Sequence, residues 1–134
     1  MDEDKINKLP PDVKKQFIKY ALKLSEKKKK TKVNDDFLTF VKHVWPEFIE
    51  GKHHKEIADK FNDIANKKIK RLIINMPPRH TKSEFASFLL PAWMVGRRPN
   101  LKIIQTTHTT ELAIRFGRKA KTLMDSQEYK EVFD

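Results

Sequence analysis

The sequence predicts an α/β fold in which parallel strands follow an α-helical N-terminal region. Two short apolar runs, centred on residues 72–74 and 101–104, are typical of buried parallel strands. Helical periodicity precedes the first run and follows both of them. The predicted order is several helices followed by strand, helix, strand and helix. An α/β sheet begins with this alternation of strands and helices.

The chain has 134 residues, enough for one domain or part of one, and carries a formal net charge of +11. Residues 1–32 hold eleven lysines against five acidic residues, so much of the basic surplus lies there. Such a surplus suits a polyanionic partner such as nucleic acid. The lack of cysteine excludes a disulfide framework and any cysteine-based zinc site or nucleophile.

No apolar run approaches the ~20 residues that a membrane-spanning helix needs. The first residues are acidic and polar, which is wrong for a signal peptide. We therefore expect a soluble, intracellular protein without a membrane partner.

Residues 1–10 are expected to form a frayed tail, followed by a helix that opens at Pro10 and Pro11. Its inward stripe is spaced by four, four and three residues: Val13, Phe17, Ala21 and Leu24. The lysine-rich residues 25–32 repel one another, which indicates a solvated helix end or a linker. Contact of these lysines with a phosphate backbone is the alternative interpretation.

Two more helices are predicted before the first apolar run, which is taken as a strand at about Leu72–Asn75. Asn34 is the expected N-cap of the first of these helices, and Pro46 ends it. The inward residues are Phe37, Val41 and Val44 in the first helix, and Ile57, Phe61 and Ile64 in the second.

Residues 83–96 are apolar almost all round, which predicts a buried helix that Pro91 bends or interrupts. After the turn at residues 96–100 comes the second predicted strand, residues 101–108. The last helix follows, with these residues facing inward: Leu112, Phe116, Ala120 and Leu123.

The segment RLIINMPPRHTKSE, residues 71–84, has the layout of a phosphate-binding P-loop: strand, loop, Lys-Ser and helix. In a P-loop, backbone N–H groups surround the phosphates, a lysine neutralises them and a hydroxyl holds magnesium. Lys82 and Ser83 supply the last two groups. The two glycine positions of the standard pattern, however, hold Met76 and Thr81, and β-branched Thr81 is expected to resist positive φ.

Pro77 and Pro78 have no N–H to donate, but they stiffen the loop. The remaining donors are the amides of residues 80–83, at a helix N-terminus that attracts anions. Arg79 adds a permanent cation with a planar donor fork that suits phosphate. On these residues alone, an ordinary surface loop between strand and helix stays an alternative.

The segment LIINMPPRHTKSEFASFLLPAWMVGRRP resembles the ATPase region of the large terminase subunit of tailed bacteriophages. Many members of that family carry a divergent Walker A of the form Pro-Pro-Arg-His-Gly-Lys-Ser-Glu, which this sequence matches except at Thr81. The segments WPEFIEGKHHKEIADKFNDI and KIIQTTHTTELAIRFGRKAKTLMDSQEYKEVF resemble the family's flanking blocks. The three blocks together cover residues 37–133 in the family order, whereas residues 1–32 match nothing known to us.

The resemblance implies a partial P-loop NTPase fold of the ASCE type. In that interpretation residues 1–33 are a basic helical extension and linker, and residues 34–134 are the N-terminal part of an ATPase domain. No apolar run ending in paired acids follows Ser83, so Walker B is missing, as is any nuclease-like acidic cluster. We expect an N-terminal piece of a longer protein that alone hydrolyses ATP poorly or not at all.

Terminase large subunits use ATP to drive viral DNA into a preformed capsid. The likeness implies that Lys82 binds the β- and γ-phosphates, that Arg79 lies near the γ-phosphate, and that Ser83 holds Mg²⁺. The ATP-binding set implied is Pro78, Arg79, His80, Thr81, Lys82, Ser83 and Glu84. The implied partners are double-stranded viral DNA, the portal and the small terminase subunit, in the host bacterial cytoplasm during virion assembly.

Other residues leave alternatives open. His53 and His54 are expected to point in different directions on a helix, and with no third ligand in sequence reach we expect no metal there. The segment from Trp45 to His54 either helps to hold adenine or, for Trp45, belongs to the core. Residues 106–108 either act in coupling or DNA contact, or precede a simple helix cap at Thr109 or Thr110.

Two other functions compete with this interpretation. A helicase is of the same class, but its glycine-rich Walker A and upstream glutamine motif are not visible in the sequence. A stand-alone, non-enzymatic DNA-binding module would use Lys27–Lys30, Lys32 and the basic face of residues 115–121. That function predicts DNA binding with a steep salt dependence and no effect of nucleotide.

Overall fold

The computed structural model describes residues 10–133, and within this part of the chain the fold is all-α. No helix in this part has both the length and the apolar character required to cross a membrane. The helices are α1 (Pro11–Asp35), α2 (Phe37–Val44), α3 (Lys52–Ala65), α4 (Lys82–Glu84), a π-helical turn (Phe85–Leu89), α5 (Leu90–Arg97), α6 (Thr110–Asp125) and α7 (Gln127–Phe133).

The predicted α/β fold with parallel strands, as in an ASCE-type P-loop NTPase, is wrong. Leu72–Asn75 and residues 101–108 are irregular, and the described residues contain no strand or sheet. A strand exists only when a neighbouring segment completes its backbone hydrogen bonds, and these two segments do not pair with each other. Apolar β-branched residues favour strands, but they cannot supply that missing partner.

Contacts divide the chain into two units, one that ends at Lys32 and one that begins at Val33. In the first unit, the predicted helix is confirmed, but its apolar stripe is not buried: Val13 and Leu24 are 46% and 41% exposed. The lysine-rich residues 25–32 are helical and exposed, which agrees with a solvated stretch of helix. Residues 1–9 of the predicted tail lie outside the described residues.

The core of the second unit is built around the ring of Phe37, which is fully buried. This ring makes edge-to-face contacts with Phe61 at 5.1 Å and with Phe85 and Trp93 at 5.4 Å. Aromatic pairs of this geometry favour one arrangement of the elements that carry them. The rings therefore bring α2, α3 and the helical segment 82–97 together, which fixes the start of that segment against the core.

The junction between α1 and α2 departs from the prediction in one detail. The N-cap of α2 is Asp36 rather than Asn34, and Asp36 Oδ2 accepts from Thr39 N at 2.7 Å. Asn34 belongs to α1. Asn62 of α3 holds the same junction, because its Oδ1 accepts from Phe37 N and its Nδ2 donates to Asp36 Oδ1, both at 2.9 Å. These bonds join the beginning of α2 to α3.

Helix α7 packs closely on α5. Tyr129 is buried and donates its hydroxyl hydrogen to Ala92 O at 2.8 Å. A Cβ atom added at Gly96 would lie 2.6 Å from the side chains of Tyr129 and Phe133, so only glycine allows this approach.

Candidate functional site

The loop from Met76 to Glu84 lines an open cavity of about 420 Å³. Its backbone is unusual, because Arg79 and Thr81 have φ values of 65° and 57°. Side chains other than glycine rarely adopt this left-handed conformation. In the described residues, the third such residue is Lys67, so two of the three lie in this loop.

Thr81 holds the glycine position of the Walker A pattern, and it has the backbone conformation that a glycine would have there. Thr81 thus adopts a positive φ despite the resistance expected of its β-branched side chain. The helical segment starts at the next residue, Lys82. A left-handed residue directly before a right-handed one turns consecutive N–H groups towards one concavity, which is the backbone pattern of an anion-binding nest.

The N–H groups at this helix start have no side-chain cap. The hydroxyl of Thr81 makes no capping hydrogen bond, although its carbonyl accepts from Phe85 N at 2.9 Å. The side chain of Lys82 folds back over the loop and donates to Met76 O at 3.3 Å. Both kinds of donor, the amides and the ammonium group, therefore lie where an anion in the cavity would meet them.

The other predicted site residues line the same cavity. Pro78, Arg79 and His80 are exposed, and the His80 Nδ1 lies 2.9 Å from Pro78 O. Glu84 is engaged elsewhere, because both its carboxylate oxygens accept from Lys119 Nζ on α6, at 2.7 and 2.8 Å. The structure thus brings the predicted residues together, but assigns Glu84 to a contact between helices.

The residues present fit the phosphates of a nucleotide better than a dedicated metal site. Ser83 is exposed beside the cavity and offers one hydroxyl oxygen. Residues 10–133 contain no group of three or more His, Asp or Glu side chains placed to hold a metal ion. Magnesium in such sites takes many of its oxygen ligands from phosphates and water, so one hydroxyl is compatible with Mg²⁺ carried by a nucleotide.

The two histidines before the loop do not point apart, contrary to the prediction. Their ring centroids are 3.9 Å apart and their Nε2 atoms 3.0 Å apart. His54 is only 6% exposed, and its Nε2 lies 2.5 Å from Thr81 Oγ1. Sequence reasoning missed this contact because no pattern relates residues 27 positions apart. The one available signal was the threonine at position 81, where the Walker A pattern has glycine.

The protonation state of His54 follows from its surroundings. Its Nδ1 accepts from Gly51 N at 2.8 Å, so the neutral ring carries its proton on Nε2. Burial lowers the pKa of His54 below the ordinary 6.5, and the neighbouring His53 and His80 act in the same direction, against Glu50. His54 is therefore neutral near pH 7 and donates from Nε2 to Thr81.

Contacts in the described residues support the structural interpretation of two of these segments. The ring of Trp45 packs on Phe48 at 5.4 Å and both belong to the edge of the core. Thr109 caps α6, since its Oγ1 accepts from Leu112 N at 3.3 Å. Thr107 donates to Thr109 O at 2.7 Å, which supports the same helix start.

A larger open groove of about 870 Å³ runs along α6. Arg115, Arg118 and Lys119 line it, but so do Glu111 and Glu128. Lys119 is already paired with Glu84. None of the residues that line this groove has a positive φ, whereas two residues of the loop cavity do. The smaller loop cavity is therefore the better candidate for a phosphate site.

The predicted site residues lie in one continuous stretch, from Pro78 to Glu84, and His54 joins them from α3. Comparison with known proteins finds no family model, no curated protein and no solved structure that matches this chain.

Proposed function

We propose that this chain binds the phosphates of ATP through the loop from Met76 to Glu84. The observation that carries the proposal is the left-handed Thr81 at the Walker A glycine position, directly before Lys82 and Ser83. The phosphate-binding geometry belongs to this loop and helix start, and it does not depend on a parallel sheet.

Each residue has a distinct role in this proposal. The N–H groups of residues 80–83 surround the phosphate oxygens. Lys82 leaves the Met76 carbonyl and neutralises the outer phosphates, while Arg79 places its guanidinium near the γ-phosphate. Ser83 supplies a hydroxyl oxygen to Mg²⁺ that enters with the nucleotide.

The wider function that we propose is that of the large terminase subunit, the motor that uses ATP to drive viral DNA into a capsid. The resemblance across residues 37–133 and the loop geometry support it. Double-stranded viral DNA, the portal and the small terminase subunit are the proposed partners, in the host bacterial cytoplasm. The exposed lysines at residues 27–30 and Lys32 supply a cationic surface that suits the DNA backbone.

The proposal is tested by the Lys82→Ala protein, titrated with ATP in the presence of magnesium. We expect the affinity to fall about 10- to 100-fold, because a charged hydrogen bond to phosphate is lost. Lys102→Ala is the matched control, since Lys102 is exposed and lies outside the cavity. Adenosine lacks phosphates, so none of the three proteins (the parent, Lys82→Ala and Lys102→Ala) should bind it measurably.

Equal ATP affinity of the parent and the Lys82→Ala protein would overturn the proposal. If neither binds ATP, while both bind duplex DNA with an affinity that falls steeply as salt is raised, the chain is a basic DNA-binding module instead. In that case the exposed lysines of α1, rather than the loop, carry the function.

A further inference from the structure

The backbone of Thr81 requires support from its surroundings. A β-branched residue at φ 57° and ψ 5° is strained, and such residues persist only where neighbouring groups hold them in place. A glycine at this position would need no such support. The question is which group holds Thr81.

The support comes from His54, through a chain of hydrogen bonds. Gly51 N donates to His54 Nδ1 at 2.8 Å, and the protonated Nε2 of His54 donates to Thr81 Oγ1 at 2.5 Å. Thr81 Oγ1 in turn donates to His80 O at 2.7 Å. His53 Nε2, 3.0 Å from His54 Nε2, is a second and more distant acceptor for the same hydrogen. The hydroxyl of Thr81 is held from both sides, by His54 and by His80 O.

The ring of His54 cannot easily move away from this position. Phe48 lies at 4.8 Å and Phe85 at 5.2 Å from it, centroid to centroid, and the His53 ring at 3.9 Å. Phe85 is fully buried in the core. A buried donor, packed between rings, thus reaches from α3 to the left-handed residue directly before Lys82.

We propose that His54 is a positioning residue that holds Thr81 in the left-handed conformation and thereby lets a threonine replace the Walker A glycine. The inference rests on the proposed function, since the loop so shaped is the one that binds the phosphates of ATP. His54 is not among the residues that line the loop cavity, and acts only through Thr81.

The first test is a double-mutant cycle on ATP affinity, with the parent, His54→Ala, Thr81→Gly and the double variant. We expect His54→Ala to weaken binding about tenfold in the parent and by less than about twofold in the Thr81→Gly background. Glycine adopts positive φ without help, so the histidine has nothing left to support. Equal effects in both backgrounds would overturn the inference.

Thr81→Val serves as a second variant, because removal of the buried His54 ring can disturb folding. Valine keeps the shape and the β-branch of threonine but cannot accept the hydrogen bond from His54. We expect it to weaken ATP binding about as much as His54→Ala does. Parent-like affinity of Thr81→Val would contradict the proposed role of the hydroxyl.

A measurement without nucleotide separates this inference from the proposed function. The three-bond coupling between the amide and α protons of Thr81, with its ¹³Cα shift, reports φ in the free protein. We expect the left-handed value in the parent and a negative φ in both His54→Ala and Thr81→Val. An unchanged φ in these variants overturns the inference, even if the parent binds ATP. If no protein binds ATP, the proposed function fails, and this coupling still decides whether His54 holds Thr81.

Discussion

Two helix starts in this molecule look alike in sequence and differ in their chemistry. The segment that begins at Lys82 and the helix that begins at Thr110 each follow an apolar run and a short loop with a threonine before the helix. Thr109 is extended, at φ −135° and ψ 147°, and caps its own helix with its hydroxyl. Thr81 is left-handed and makes no cap.

The difference lies in where each hydroxyl is used. The Thr109 hydroxyl oxygen accepts a hydrogen bond from Leu112 N, which satisfies a donor of α6. Thr81 instead bonds to His54 and His80, so the donors of its helix stay directed at the cavity. A helix N-terminus becomes an anion site only if the protein leaves it uncapped, and here one threonine caps while the other does not.

The two helix starts should differ most in how much stability their first-turn side chains contribute, and the largest loss is expected at Phe85. Its ring is fully buried against Phe37, Phe48 and His54, so Phe85→Ala should lower the free energy of unfolding by about 3–5 kcal/mol. Leu112, in the first turn of α6, is only half-buried, and Leu112→Ala should cost about 1–2 kcal/mol. Urea unfolding of both proteins measures the difference. Equal losses would mean that the two helix starts are anchored alike.

A smaller effect is expected at the cap of α6. Thr109→Ala removes the acceptor for Leu112 N and should lower the free energy of unfolding by about 1 kcal/mol. ATP affinity should stay that of the parent, because this helix start lies outside the proposed site. Thr110→Ala, at the exposed neighbouring position, is the control for loss of a threonine side chain. A drop in ATP affinity with Thr109→Ala would end the distinction between the two starts.

The two helix starts should also respond differently to acid. The pKa of His54 is lowered in the folded protein, so the unfolded chain binds its proton first as the pH falls. The stability contributed by neutral His54 is complete above about pH 6.5. It is lost as the pH falls from there through the lowered pKa of the folded state.

This pH effect is measured as the difference in unfolding free energy between the parent and His54→Phe, from pH 7.5 to 5. The phenylalanine variant lacks the titrating group but retains a ring that packs between Phe48 and Phe85. As the pH falls, we expect the unfolding free energy of the parent to decrease relative to that of His54→Phe. The Thr109→Ala protein, which retains His54, should show the same pH dependence as the parent. A difference that does not change over this range would contradict the lowered pKa.

Local patterns in the sequence predicted the helices well. Ile57 and Phe61 of α3 and Phe116 of α6 are buried, as their spacing indicated, and Thr109 caps α6. Periodicity works here because a helix completes its own hydrogen bonds, so its existence depends little on distant residues.

The largest failures concern contacts between distant residues, whereas the N-cap of α2, at Asp36 rather than Asn34, is a local one. Ile73 and Ile104 favour a strand by composition, yet they are 86% and 91% exposed and neither segment has a pairing partner in residues 10–133. The φ of Thr81 depends on His54 in another helix, which no local rule detects. The candidate site residues are contiguous in sequence, so a local pattern could bring them to notice, whereas His54 lies 27 residues away from Thr81.

The π-helical turn at Phe85–Leu89 has a further consequence for this loop. Leu90 N–H donates to Phe85 O, five residues back, so the turn holds one residue more than an α-helical turn. It also ends next to Pro91, which has no N–H to give. Deleting a single residue here would rotate Lys82 and Ser83 by about 100° about the helix axis while Leu90–Arg97 stayed in place. The direction in which the loop faces is therefore set by a residue count, and an insertion or deletion in this turn would redirect the site without altering any residue that forms it.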